Sequence, residues 1–382
     1  MLEAWVEASI GDLATWLSGG TPLKSEATYW DGDIPWISGA SLTEIHLNDS
    51  IRRVTEAGVK NGSRFAPQGA TLILVRGMSL HQEVRIGHAM RQLAFNQDVK
   101  ALTPNSDVDP WFLTWALLAR HDELLHMVHA AGHGTGVLAT DRLKALTIPL
   151  PPLAEQRRIA GVLGALDDLI ETNRRLAEVC EALAMTIAES ATGRTPLSAI
   201  AQSLNAPVKA PRGPTDHFSL PTFDVDHLPD RVDGSLIKSN KVILDRPCVL
   251  VSRLNPHIPR VWMVYPESGV TSAASTEFVP LVGRDVCGEE IWAVCANGAF
   301  LDQMNGLVTG TTGSHQRVNK EALLTLEVPD IRSVSDSKRM ALRDLMREGF
   351  DARASARTLS RTRDELLPLL LSGAVTVPEV AA

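Results

Sequence analysis

The feature that most constrains the fold is that the chain restates itself after roughly 177 to 180 residues. LILVRGMSL (72–80) is answered by VLVSRLNP (249–256), and FNQDVKAL (95–102) by ASTEFVPL (274–281). GHGTGVLATDRLKALTIPLPP (132–152) has a looser counterpart in GTTGSHQRVNKEALLTLEVPD (310–330). Each match is weak alone, but a shared offset and a shared order mark an internal duplication. The first pair comprises β-branched apolar runs that end in a polar turn with an arginine, Arg76 and Arg253, which this alignment places at the same point of each repeat.

Each repeat closes on a long segment without turn residues, 154–190 and 336–371. In the first, Ile159, Val162, Leu166, Leu169, Asn173, Leu176, Cys180, Leu183 and Ile187 alternate steps of three and four, the coiled-coil period. Asn173 is the polar member, where a buried Asn sets register at some cost in stability. Pro151 and Pro152 precede the segment, and Gly193 and Pro196 follow it, as helix boundaries do. The second segment carries Leu342, Leu345, Gly349, Ala352, Ala356, Leu359, Arg363, Leu366 and Leu370. Its small central residues predict close approach of a partner helix, and Pro368 is expected to bend or end it.

The remaining stretches are rich in Gly, Pro and Thr around short apolar runs, with short helical patterns such as 110–125. The expected fold class is therefore α+β: two mixed α/β domains (1–150 and 194–330) separated by two long helices (151–193 and 331–382). These would form an antiparallel coiled coil in a pseudo-twofold tandem repeat. A helix of ~37 residues is roughly 55 Å long. Two similar but unlike heads at opposite ends of such rods would suit a bipartite ligand, and one turn of DNA, about 34–36 Å, is a separation at which both meet the same face.

Composition narrows the class. With 44% hydrophobic and 21% charged residues, the chain reads as globular rather than disordered. No apolar run approaches the ~18 residues of a membrane span, and no basic-then-apolar leader opens the sequence. Cys180, Cys248, Cys287 and Cys295 are scattered without a C-x-x-C pair, which fits a reducing cytoplasm. The net charge of −8 does not favour a nucleic-acid binder, although binding depends on one face rather than the sum.

No catalytic constellation emerges. AGHGTGVLAT (131–140) lacks the G-x-x-x-x-G-K-[ST] pattern of a phosphate loop. His126, His129 and His133 lack a completing Cys or carboxylate at zinc spacing. No G-x-S-x-G nucleophile motif occurs.

PPLAEQRRIAGVLGALDDLIETNRR (151–175) resembles the central region of specificity subunits of type I restriction–modification systems. IGDLATWLSGGTP (10–22) with YWDGDIPWISGASL (29–42) resembles the opening of a target-recognition domain in that family. HFSLPTFD (217–224) and VLVSRLNPHIPRVW (249–262) resemble another class of such domains, and RDELLPLLLSGAV (363–375) the family's usual ending. PDIRSVSDSKRM (329–340) departs from the usual lead into the second helix, which leaves that helix's register open.

The resemblance implies two target-recognition domains, each reading one half of a split site in double-stranded DNA. It implies helices that dock methyltransferase subunits, two of them, which bind S-adenosylmethionine and methylate adenine. A restriction/translocase subunit is the further partner that the resemblance implies. The chain itself would be non-catalytic, with no cofactor or metal of its own, in the cytoplasm and off the membrane. The alternative from the residues alone is a coiled-coil interaction scaffold that binds no DNA.

Base readout uses Arg, Lys, Asn and Gln projecting from loops. The candidates are Lys24, Ser38, Arg76, His81, Gln82, His133 and Thr135 in the first domain. In the second they are Arg253, Asn255, His257, Arg260, Thr312, Ser314, His315, Gln316 and Arg317. For partner docking the candidates are Arg157, Arg158, Asp167, Asp168 and Arg174 on the first helix. Taken singly, each has a plainer reading as a solvated or turn-forming side chain.

Overall fold

The computed structural model describes residues 5–130, 134–307 and 316–378. The chain divides into two compact units, Met1–Asp168 with Leu359–Ala382, and Leu169–Thr358.

In unit 1, β1 (Val6–Ser9) pairs antiparallel with β14 (Thr147–Leu150), tying the start of the head to its end. The main sheet runs β2 (Ala14–Ser18), β11 (Val99–Pro104), β7 (Thr71–Leu74), β9 (Ile86–Ala89), β4 (His46–Leu47). Every residue of β7 and β9 is buried, His88 included, so both faces of these strands are covered. A second sheet orders β5 (Arg53–Val54), β3 (Trp30–Ile37), β10 (Leu93–Phe95), β6 (Phe65–Ala66), with β3 and β10 parallel. The helix Pro110–Ala119 starts at Pro110 behind Asp109, whose carboxylate accepts from the amides of Trp111 and Phe112. It buries Phe112 and Trp115 in the core.

That helix also covers His88. The imidazole is 4% exposed, lies 3.8 Å from the Trp111 ring in a stack, and has Nδ1 2.9 Å from Thr114 Oγ1. Burial, helped by nearby His46, pushes its pKa down from 6.5 to about 4. A histidine with a lowered folded pKa favours the unfolded chain as pH falls below 6.5, so stability is lost between pH 6.5 and 4. The expected loss from this group is about 2 kcal/mol at pH 5. Thermal unfolding of wild type and His88→Gln across pH 7 to 5 tests it: the variant should fall less steeply, and parallel curves contradict the assignment.

Unit 2 repeats the plan. Here β15 (Arg194–Pro196) pairs with β25 (Glu327–Pro329). Its inner sheet runs β16 (Ala201–Ser203), β24 (Phe278–Gly283), β21 (Cys248–Ser252), β22 (Val261–Val264). This is the order of β2, β11, β7 and β9, strand for strand. Its other sheet is β17 (Val208–Lys209), β20 (Lys241–Leu244), β23 (Thr271–Ala274), β18 (Pro214–Phe218), β19 (Asp230–Asp233), and again the pair β18–β23 is parallel. The helix Gly288–Cys295 follows β24 as Pro110–Ala119 follows β11. The duplication seen in short sequence matches is thus a duplication of topology.

The long helices are Leu153–Glu189 and Asp336–Leu371. In unit 1 the first turns of the former share a core with the last turns of the latter: Ile159, Leu163, Leu370 and Leu371 belong to one cluster. In unit 2 the ends are reversed, and Ala184 and Ala188 share a core with Leu342 and Met346. Within unit 2 a Cβ on Gly349 would stand 3.3 Å from Cys180 Cβ and 3.4 Å from the Ala177 carbonyl oxygen. The small residues of the second helix therefore serve close approach, as expected.

Two expectations about the helices are corrected. On the first helix the buried stripe is Ile159, Leu163, Asp167, Ile170, Ala177, Cys180, Ala184 and Ala188. Leu169, Leu176 and Leu183, assigned to the seam by the heptad, are 50%, 38% and 47% exposed. Two adjacent stripes satisfy the same period, and the close approach of Gly349 to Ala177 and Cys180 selects the one with small side chains. Asn173 is half-buried and donates to the Leu169 carbonyl of its own helix. Pro368 does not end the second helix, which continues one turn to Leu371.

Candidate nucleic-acid interface

In unit 1 the polar candidates gather where β7 leaves the main sheet. Past Val75 the chain forms β8 (Arg76–Gly77), which joins β13 (Gly136–Val137) and β12 (His129–Ala130) in a three-stranded ribbon. Gly136 faces Gly77 and Val137 faces Arg76. Gly136 has no room for a side chain: a Cβ there would meet Leu80 Cβ at 2.9 Å. A short 3-10 turn, Met78–His81, follows and carries His81 and Gln82, both exposed. The His81 Nε2 lies 2.6 Å from the Gly134 carbonyl oxygen, next to half-buried Thr135. The fold thus brings Arg76, His81, Gln82 and Thr135 to one corner. Arg76 is exposed there.

Ser38 and Lys24 differ from these. The Ser38 amide donates to Ser41 Oγ at 2.8 Å, so this serine builds a turn; the next residue, Gly39, accepts from Arg85 at 2.7 Å. Lys24 is exposed in the turn before Ala27–Tyr29. Its neighbourhood holds a feature not anticipated from sequence, the Arg52 guanidinium stacked 4.4 Å from Trp30 and 5.5 Å from Trp36.

In unit 2 the equivalent corner follows β21. Leu254 and Arg317 form an isolated antiparallel bridge, and the Asn255 amide donates to the Gln316 carbonyl at 2.9 Å. Asn255 has φ 50°, the left-handed region that Asn tolerates better than most residues. His257 is exposed beyond it. Glu277 holds the corner: Arg317 donates to it through Nη2 at 2.7 Å and Nε at 3.1 Å, and Arg253 Nε lies 3.6 Å away. These bonds raise the Arg317 pKa, so it stays charged. Arg253, Asn255, His257, Gln316 and Arg317 are thereby brought together.

Arg260 is not presented as a loop reader. It is 7% exposed, and its Nε and Nη2 donate to Asp224 at 2.6 and 2.7 Å. It sits at the head of β22, where the chain turns inward, and its charge is met by that carboxylate. His133, Thr312, Ser314 and His315 lie outside the described residues.

The hydrogen bonds also correct the equivalence of Arg76 and Arg253. The Arg253 amide donates to the Glu277 carbonyl, and its own carbonyl accepts from Val318. In unit 1 it is Val75 whose amide donates to Asp98 and whose carbonyl accepts from Leu138. Arg253 therefore corresponds to buried Val75, and Arg76 to Leu254. Sequence reasoning also passed over Glu277 and its counterpart Asp98. Each is anchored by the same local bond: the Asp98 amide donates to Asn96 Oδ1, and the Glu277 amide to Ser275 Oγ. The alignment of FNQD with ASTE carried that signal.

Of the docking candidates, Arg157, Asp168 and Arg174 are exposed. Asp167 is not an outer-face residue; it is 6% exposed and takes an ion pair from Arg363 and a 3.3 Å contact from His46 Nδ1. Arg158 is half-buried. Among the described residues no cluster of three potential metal ligands occurs, and no helix is long and apolar enough to cross a membrane.

Residues 3–182 match the model of the type I restriction modification DNA specificity domain. The specificity subunit of the EcoR124I/EcoR124II type I restriction enzyme of Escherichia coli is 27% identical over 163 residues, 42% of this chain and 40% of that protein. The specificity subunit of the MjaIX type I restriction enzyme of Methanocaldococcus jannaschii is 30% identical over 188 residues, 48% of this chain and 42% of that one. The matched region thus spans about two fifths of the length of these curated relatives. Among solved structures, a type I restriction–modification S subunit from M. genitalium shares the fold along 100% of this chain and 97% of its own, with a TM-score of 0.61 at 13% identity. The family match stops at residue 182, and unit 2 is joined to it by the repeated strand order. The type I restriction modification DNA specificity domain thus matches residues 3–182, just under half of the chain, and the strand order of that half recurs in unit 2.

Proposed function

We propose that the chain is the sequence-reading subunit of a type I restriction–modification complex, each unit reading one half of a bipartite site in double-stranded DNA. The observation that carries this is one strand plan used twice with two different polar sets at the same corner: Arg76, His81, Gln82 and Thr135 in unit 1, and Asn255, His257, Gln316 and Arg317 in unit 2. A shared scaffold with unlike tips is what an asymmetric split target requires. The long helices set the number of base pairs between the half-sites.

The subunit is non-catalytic in this reading and acts in the cytoplasm, where its DNA is. Methylation belongs to methyltransferase partners that carry S-adenosylmethionine, and cleavage to restriction/translocase partners. The surface we assign to a partner helix is the exposed stripe Leu169, Leu176, Val179 and Leu183 on the first long helix, flanked by Arg174. Four apolar side chains at helical spacing offer a seam for a methyltransferase helix. The scaffold alternative is not favoured by the family match.

The test is the salt dependence of duplex binding by the chain with its methyltransferase. Six phosphate contacts predict about a thousandfold loss of affinity between 50 and 200 mM salt. Failure to bind duplex, or affinity indifferent to salt, would overturn the reading.

A further inference from the structure

The two corners share one more feature once their hydrogen bonds are aligned. In unit 1 the cross-strand pair is Arg76 opposite Val137. In unit 2 the equivalent pair is Leu254 opposite Arg317. Flanking bonds fix the equivalence on both sides. Leu138 donates to Val75, as Val318 does to Arg253, and Asn255 donates to Gln316 where Gly77 faces Gly136. Each pair therefore holds one arginine and one aliphatic residue, with the arginine on opposite strands.

Residues directly opposite in an antiparallel pair project from the same face, with Cβ atoms about 5 Å apart. Moving the arginine across the bridge thus keeps the guanidinium on the same side of the corner and shifts its root by one strand. Both are exposed, Arg317 to 50% of its side chain. In unit 2 a carboxylate orients it, since Glu277 receives Nε and Nη2 side by side. A guanidinium so held presents a fixed edge, and Arg is the residue that reads guanine by two parallel donors to O6 and N7.

Resting on the proposed function, we infer that this bridge is the common base-reading position of both units. Arg76 reads a guanine in one half-site and Arg317 a guanine in the other, with Glu277 the positioning residue for Arg317. Arg253, the equivalent of buried Val75, supports the corner and reads no base.

The experiment is selection from a randomised duplex pool by the full chain with its methyltransferase, for wild type, Arg76→Ala, Arg317→Ala and Arg317→Lys. Thermal unfolding of each checks that it folds. Wild type should enrich a split motif. Arg76→Ala should relax a guanine in one half only, and Arg317→Ala a guanine in the other half only, each with about 5- to 150-fold loss of discrimination. Arg317→Lys, which keeps charge but not the paired donors, should relax the same position. Uniform weakening with both half-sites intact would make these arginines phosphate contacts and overturn the inference, as would unchanged motifs. Absence of any wild-type motif would instead sink the proposed function itself.

Discussion

Replacing Glu290 with alanine is expected to destabilise unit 2 by about 3–5 kcal/mol, the cost of breaking a buried ion pair from one side. Glu290 is fully buried on the helix Gly288–Cys295. Its Oε1 accepts from Arg339 Nε at 2.7 Å and from Arg343 Nη2 at 2.9 Å; its Oε2 accepts from Arg339 Nη2 at 3.1 Å and from the Cys287 amide at 2.8 Å. Both arginines lie on the second long helix, so one carboxylate ties that helix to the head. Burial works to raise its pKa, but the arginines and the Cys287 amide outweigh burial and hold it below 4.5. Removing it leaves the Arg339 guanidinium, whose side chain is only 15% exposed, with only a 3.7 Å ion pair to the solvent-exposed Asp336 among its carboxylate partners. At about 2–4 °C per kcal/mol for a unit of this size, the melting temperature should fall by roughly 10 °C. A depressed carboxylate stabilises above its unfolded pKa and loses that contribution as pH falls through the folded value. The gap between wild type and Glu290→Ala should therefore be full above pH 4.5 and narrow below it. A variant within about 1 kcal/mol of wild type at neutral pH would show that the pair does not anchor the helix.

This network illustrates what one-dimensional reading misses. Nothing near Glu290 in sequence announces Arg339 and Arg343, 49 and 53 residues away. Local signals did better. The turn-free segments predicted at 154–190 and 336–371 fold as Leu153–Glu189 and Asp336–Leu371, because uninterrupted period and bounding Pro and Gly are local facts. The repeat was legible in apolar runs, and its strands proved equivalent. Which helix face turns inward was not legible on the first helix, since Leu169 and Ala177 lie on rival stripes of equal period, and packing against Gly349 decides between them. At the candidate site, the corner could be found from Arg-bearing turns, but its fine register could not. Aligning arginine with arginine put Arg253 opposite Arg76, whereas backbone bonds align it with Val75. Arg260 looked like a loop reader because Asp224, 36 residues earlier, is brought to it only by folding.

The central claim is that two unlike readers address one DNA site at a separation set by the long helices. The most direct measurement inserts one heptad after Asp168 and one after Thr358, where both helices pass between the two compact units. A heptad leaves the helical faces nearly in phase, drifting by about 20°. It adds about 10.5 Å of helix at 1.5 Å per residue, close to three base pairs. Duplexes selected by the lengthened chain, with the methyltransferase partner proposed above, should carry the same two specified blocks as wild type, with about three more unspecified base pairs between them. Unaltered spacing between the blocks, or a single undivided motif from both proteins, would contradict the account.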